Sequence, residues 1–297
     1  MKNAIALNII KYFNYKENAL FLLVDKAYDE LAQAIKKCHE ETEIICFESY
    51  KPEDVKEIFN FSSSTVVLLF AEPTSYVEYR LFEYLDFSNG EPVIPNTVSK
   101  VLIFPKESLC RIFSEGADNI AIEREKLISE MKDNQNYRIT SSSGTDLTFE
   151  SRRWIPLDFE ICTAPIEESI NGIIVVDGAL FYKKTDDKMA FVIRCGKIQL
   201  IKAISPKGDL LVAEYKKMTE RNMQNSINMQ LAEIGIGFCN NAIISDCFME
   251  AEAVSKTCHF CFGNNICYGG RNESEFHGAS VLIKNPIFTP INPRENC

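Results

Sequence analysis

The chain has 297 residues, 46% of them hydrophobic and 25% charged, which is the balance of a folded protein with room for one large domain or two of ordinary size; a disordered, collagen-like or low-complexity chain is excluded. Lys and Arg number 32 against 42 Asp and Glu, a formal net charge of −10. A surface of that sign repels phosphate backbones and anionic headgroups, so neither nucleic acid nor a membrane is an expected partner.

Lys2 is followed by an apolar stretch that Lys11, Asn14 and Lys16 interrupt, and no small-residue cleavage site follows, so no signal peptide is expected. Residues 19–24, 43–47, 65–71 and 100–104 are short apolar runs that predict buried strands, and the amphipathic segments 27–37, 52–59 and 75–85 between them predict helices. Apolar strands separated by helices predict a parallel α/β sheet. Neither glycine-rich nucleotide motif is present, so this half carries no nucleotide signature. Residues 117–131 predict a charged helix, and a polar break at 134–136 follows.

Beyond the break the pattern changes to short segments. Strands are predicted at 137–140, 146–149, 172–177, 190–194, 198–201, 210–214, 257–263 and 280–284, and helices at 216–232 and 242–253. The fold class is therefore α/β plus α+β: a parallel α/β domain over residues 1–136 and a mixed, strand-rich domain over 137–297. The longest apolar run, 66–71, is far shorter than a bilayer span.

Histidine is scarce, with only His39, His259 and His277, and the last two fall in the C-terminal part with an unusual acid. Glu233 sits inside the apolar, glycine-flanked segment L-A-E-I-G-I-G at 231–237. A buried carboxylate is costly unless it is paired or metal-bound, so two histidines and buried acids point to a metal site of imidazole and carboxylate, against the plainer alternatives of core histidines and an arginine partner for Glu233. The 11 cysteines run from Cys38 to Cys297 without a disulfide framework and read as reduced cytoplasmic thiols. A rival zinc site of Cys258, Cys261, Cys267 and His277 is disfavoured, because strand alternation sends Cys258 and Cys261 to opposite faces while His259 and Cys261 share one. No motif surrounds any cysteine to support a Cys–His nucleophile.

Several segments in order resemble one family. They are S-G-T-D-L-T-F at 143–149, R-R-W at 152–154, F-E-I-C-T-A-P at 159–165, 172–178, the Glu233 segment, M-E-A-E at 249–252, T-x-H-x-x-F-G-x-N at 257–265 and G-G-R-N-x-S-x-x-H at 269–277. Together they resemble the aminopeptidase T family, the thermophilic leucyl-aminopeptidase type of metallopeptidase, over roughly residues 115 to 290. The resemblance implies a metallopeptidase-like C-terminal domain, a cytoplasmic homodimer, and a divalent metal, namely zinc, cobalt or manganese, held by Glu160, Glu233, His259 and His277. It casts Glu160 and Glu233 as catalytic residues in metal-assisted removal of N-terminal residues from a peptide or small amide substrate.

This chain also departs from the family. Its H-x-D motif reads His277, Gly278, Ala279, so an aspartate ligand is gone; its D-E-K segment keeps Glu252 between Ala251 and Ala253, and Phe159 stands for a glycine. A site so altered is expected to hold one ion rather than two. Two further readings stay open. The family's fold is similar to that of a ring-cleaving iron dioxygenase of dihydroxypyridines, which would make iron the metal, and a metal-free, peptide-binding descendant would fit the lost aspartate.

Overall fold

The computed structural model describes residues 2–13, 19–46, 65–71, 98–181 and 183–292, which group into two compact units, Met1–Ala121 and Ile122–Cys297. The predicted helices at 52–59 and 75–85 lie outside the described residues.

The first unit carries α1 (Lys2–Phe13), β1 (Ala19–Val24), α2 (Asp29–Cys38), β2 (Thr42–Cys46), β3 (Thr65–Ala71), β4 (Val98–Ile103) and α3 (Lys106–Phe113). Its four strands form a parallel sheet in the order β2-β1-β3-β4. In α2 the apolar residues Leu31, Ala32, Ala34 and Ile35 fall on one face and are buried. Asp29 and Glu30 in its first turn, with Lys36 and Lys37 in its last, complement the helix dipole. Tyr28 stacks on Phe70 at 5.6 Å and donates its hydroxyl to the Phe104 carbonyl, which ties the start of α2 to the ends of β3 and β4. Helices α1 and α3, the latter starting after Pro105, were not anticipated from the sequence.

Helix α4 (Ala117–Glu130) leads into the second unit. There the strands are β5 (Asn136–Thr140), β6 (Asp146–Glu150), β7 (Ile155–Pro156), β8 (Glu160–Thr163), β9 (Asn171–Val176), β10 (Ala179–Leu180), β11 (Lys183–Lys184), β12 (Met189–Arg194), β13 (Lys197–Ala203), β14 (Leu231–Gly237), β15 (Thr257–Gly263), β16 (His277–Lys284) and β17 (Ile287–Pro290). They build a seven-stranded sheet, β11-β10-β16-β15-β14-β8-β7, and a six-stranded sheet, β13-β12-β9-β6-β5-β17, and every strand pairing in both is antiparallel. Phe191 of β12 meets Phe262 of β15 with ring centroids 5.7 Å apart, so the two sheets share one core. Among the described residues no helix is long and apolar enough to cross a membrane, and the ten described cysteines are free thiols.

Three expectations are corrected. Residues 210–214 are not a strand but lie in α5 (Gly208–Thr219). The apolar run 210–213 suits either element, and context decides: Asp209 in the first turn and Lys216 and Lys217 in the last favour a helix, Tyr215 is buried, and Leu210 is 69% exposed where a core strand would cover it. The helix expected over 216–232 stops at Thr219, after which two 3₁₀ turns, Asn222–Gln224 and Ser226–Met229, deliver the chain to β14. The helix expected over 242–253 is confined to α6 (Phe248–Ala253), because the Glu250 carboxylate accepts from the Ile243 amide at 3.3 Å and the Ser245 hydroxyl at 2.9 Å and so fastens the preceding segment as a loop.

Candidate metal centre

The four middle strands of the seven-stranded sheet run side by side in the order β16-β15-β14-β8 and carry His277, His259, Glu233 and Glu160. Register sets their meeting. Gly235 lies opposite His259, Gly237 opposite Glu160, and Glu233 opposite Cys261. With a period of two, Glu233, Gly235 and Gly237 share a face of β14 as His259 and Cys261 share a face of β15. The acid therefore stands beside two positions without side chains.

Those glycines make room for the site. A Cβ on Gly235 would lie 2.0 Å from His259 Cε1 and 2.3 Å from Nε2, so the imidazole lies across the neighbouring strand in the space that Gly235 leaves open. A Cβ on Gly237 would meet the carbonyl oxygens of Glu252 and Val254 at 2.4 Å, so the exit of α6 crosses β14 at backbone distance and brings Glu252 to the same place. His259 Nδ1 is 3.4 Å from Glu160 Oε2, and its Nε2 is 3.8 Å from Glu233 Oε1. His277 Nε2 is 2.9 Å from Glu233 Oε2, while its Nδ1 meets the Asn264 carbonyl at 2.6 Å. The four expected residues thus form one chain of contacts, Glu160–His259–Glu233–His277.

Burial makes this cluster electrostatically tense, since His259 is 1% exposed and Glu233 3%. Burial pushes the Glu160 carboxyl up to about 8 against the pull of His259, and it raises Glu252 in the same way. For Glu233 burial acts upward too, but hydrogen bonds and charge from His259 and His277 outweigh it and hold that carboxyl well below the usual carboxylate range. Burial lowers His259, but Glu160, Glu252 and Glu233 outweigh it and lift the imidazole to about 10; Glu233 does the same for His277. Glu160 Oε2 and His259 Nδ1 are buried and neither makes a hydrogen bond. These two atoms, 3.4 Å apart and without a hydrogen bond, are an oxygen and an imidazole nitrogen of the kinds that a divalent cation takes as donors.

Two triads place one donor atom per residue within 4.8 Å of one another: Glu160, Glu252 and His259, and Glu233, His259 and Cys261. Glu252 was not expected as a donor. Its sequence signal was its place in the M-E-A-E segment that carries part of the family resemblance, seven positions before His259. Cys261 does share a face with His259, as alternation predicts, while Cys258 turns its thiol toward the His259 carbonyl at 3.6 Å.

The G-G-R-N segment serves a different end from the donors. Glu167, 2% exposed, accepts from Arg152 Nη2 at 2.7 Å, the Arg271 amide at 2.7 Å and Asn265 Nδ2 at 3.2 Å. Asn265 Oδ1 in turn accepts the Asn272 amide at 2.8 Å, and a Cβ on Gly270 would fall within 2.3 Å of the Asn265 amide group. Burial pushes the Glu167 carboxyl up, but Arg152 and the Arg271 amide outweigh it and hold it at about 2. This latch fixes the loop between β15 and β16, and with it the Asn264 carbonyl that orients His277.

No family model and no curated protein matches the chain. Among solved structures, 2,5-dihydroxypyridine dioxygenase from Pseudomonas putida KT2440 is similar with a TM-score of 0.65 at 13% identity, covering 97% of this chain and 94% of that one. AmpT from Thermus thermophilus is similar with a TM-score of 0.59 at 12% identity, covering 99% of this chain and 97% of that one. At such identities the likeness is one of fold: the chain has the architecture of AmpT and of the dioxygenase over nearly its whole length.

Proposed function

We propose that the protein is a metal-dependent, aminopeptidase-like hydrolase that removes N-terminal residues from peptides, with an altered metal site. The observation that carries this reading is the chain of contacts Glu160–His259–Glu233–His277 across adjacent strands, in which Glu160 Oε2 and His259 Nδ1 are buried without a hydrogen bond. Glu160, Glu233 and His259 would hold a divalent ion, zinc, cobalt or manganese, which when bound would supply Lewis acidity toward a scissile carbonyl and its attacking water, while His277, expected as a fourth ligand, has both ring nitrogens bonded, to Glu233 and to the Asn264 carbonyl. Glu233, bonded to His277, keeps its imidazole oriented through the Asn264 carbonyl on the ring's far side. Glu160 would meet the ion through Oε2, which leaves its other carboxylate oxygen to take a proton from the attacking water.

Protein purified without chelator should contain about one divalent ion per chain and release free amino acids from unblocked peptides, and His259→Ala should abolish both. A protein that carries the metal yet leaves peptides intact sinks the hydrolase reading. One observation supports a second: the dioxygenase gives the higher TM-score of the two neighbours, and two histidines with one glutamate are a donor set that suits iron. Iron in the purified protein, with oxygen uptake on dihydroxylated aromatic rings, would favour it.

A further inference from the structure

We propose that a second site, separate from the metal cluster, lies at one end of the core between the two sheets and takes a small zwitterion with an apolar side chain, a free amino acid such as L-phenylalanine. A pocket of about 350 Å³ opens in the second unit where β5 and β17 of one sheet meet the end of β14 of the other, with α4 along its side. Ile236 lines it, pairs with Cys258 and alternates along β14 with Gly235 and Gly237, so it stands on the face of the sheet turned away from Glu233 and His259. The pocket is therefore independent of whether the cluster holds a metal. Its volume is at the small end of ligand pockets. Tyr137, Phe238 and Phe288, with Leu127 and Met131 beside α4, give it an apolar wall, and Tyr137 and Phe238 are buried.

Charge narrows the ligand. Glu123, Lys126 and Glu130 of α4 line the pocket together with Lys256 from the turn before β15. On the helix these three have the i, i+3 and i, i+4 spacings at which opposite charges pair, yet the ion pair that this stretch makes joins Arg124 to Glu125 instead. Among the described residues none of the four lining charges is in an ion pair, so both signs remain open to a ligand. An anion alone would meet the two glutamates as well as the lysines, and a cation alone the reverse; a molecule with one ammonium, one carboxylate and an apolar body satisfies both signs and the wall. The backbone at Lys256 is a further sign. Its φ is +60°, in the left-handed region that a lysine seldom adopts, and the Asn285 amide holds it there through the Lys256 carbonyl at 2.8 Å. Glycine would take that conformation without strain, and an ammonium needed at the pocket accounts for a lysine there.

The test is a calorimetric titration of L-phenylalanine into chelator-treated protein, so that no bound metal offers the same ligand another place. One molecule per chain should bind. 3-Phenylpropanoate, which lacks the ammonium, and 2-phenylethylamine, which lacks the carboxylate, should each bind at least about 10-fold more weakly. Lys256→Gly suits the left-handed backbone and should fold like the wild type while weakening phenylalanine by at least about 10-fold, and Glu123→Gln, on the exposed side of α4, should do the same. No saturable binding of phenylalanine, an affinity for either analogue equal to that for phenylalanine, or binding that survives both substitutions overturns the assignment. Sedimentation showing a concentration-dependent dimer that Lys256→Gly abolishes overturns it as well, because a second copy then covers the apolar wall.

Discussion

At the scale of single residues, the chemistry of this protein depends as much on missing side chains as on present ones. A histidine can lie flat across the next strand only if the residue opposite it has no Cβ. Gly235→Ala puts a methyl 2.0 Å from His259 Cε1 in a fully packed strand pair. The ring must leave its place between Glu160 and Glu233. The expected result is a loss of about 1–3 kcal/mol in a denaturant melt, from overpacking, together with a fall of more than about 10-fold in metal affinity. A variant that melts like the wild type and binds metal equally well would show that the ring does not need that space.

Glu167 provides a residue-scale test by pH. Its folded carboxyl is held at about 2, below the ordinary 4.5, so the folded state favours the ionised form. The stabilisation is therefore complete above about pH 4.5 and drains away as the pH falls toward about 2. Glu167→Gln leaves Arg152 buried against a neutral amide, at a cost of about 3 kcal/mol at neutral pH, and the difference from wild type should shrink as the pH is lowered through that window. Melting temperatures measured between pH 2 and pH 7 check both the size and the direction.

At the scale of elements, α5 shows where local pattern and tertiary environment part. Tyr215 stacks on Phe181 at 5.3 Å and meets Phe191 edge-on at 4.8 Å, while Leu210 on the same helix faces solvent. Tyr215→Ala should cost about 3–5 kcal/mol and Leu210→Ala less than about 0.5 kcal/mol; similar costs at both positions would contradict the helix. The strands of the centre were easier to read. Residues 257–263 form β15 as expected, since an apolar run with alternating large side chains has few other uses. β14 was harder, because Leu231 and Ala232 were read as the end of the preceding helix, and only pairing with β15 and β8 brings the segment into the sheet. The start of α6 was placed too early for a similar reason: the Glu250 carboxylate holds residues 243 and 245 in a loop that no local propensity demands.

At the scale of the whole molecule, a cation bound as proposed would stabilise the second unit, where the candidate donors of the cluster reside. A ligand that binds only the folded state adds about 2.7 kcal/mol at 100 times its dissociation constant. Chelator-stripped protein should therefore melt lower than protein refilled with metal, with the difference growing with metal concentration. A scan that shows no such difference would mean the cluster is satisfied by protons and imidazoles alone. The sequence by itself determined the parallel strands of the first unit and most strands of the second. It also singled out Glu233, His259 and His277, because apolar runs, scarce histidines and acids in apolar surroundings are properties of a local stretch, whereas Glu160 was named only through the family resemblance. Only the tertiary structure decided that Glu252 joins them, that Gly235 and Gly237 open the space, and that residues 210–214 are helical. Each of these depends on what stands across a strand pair or beneath a helix, and contacts between residues far apart in the chain leave no period in the sequence.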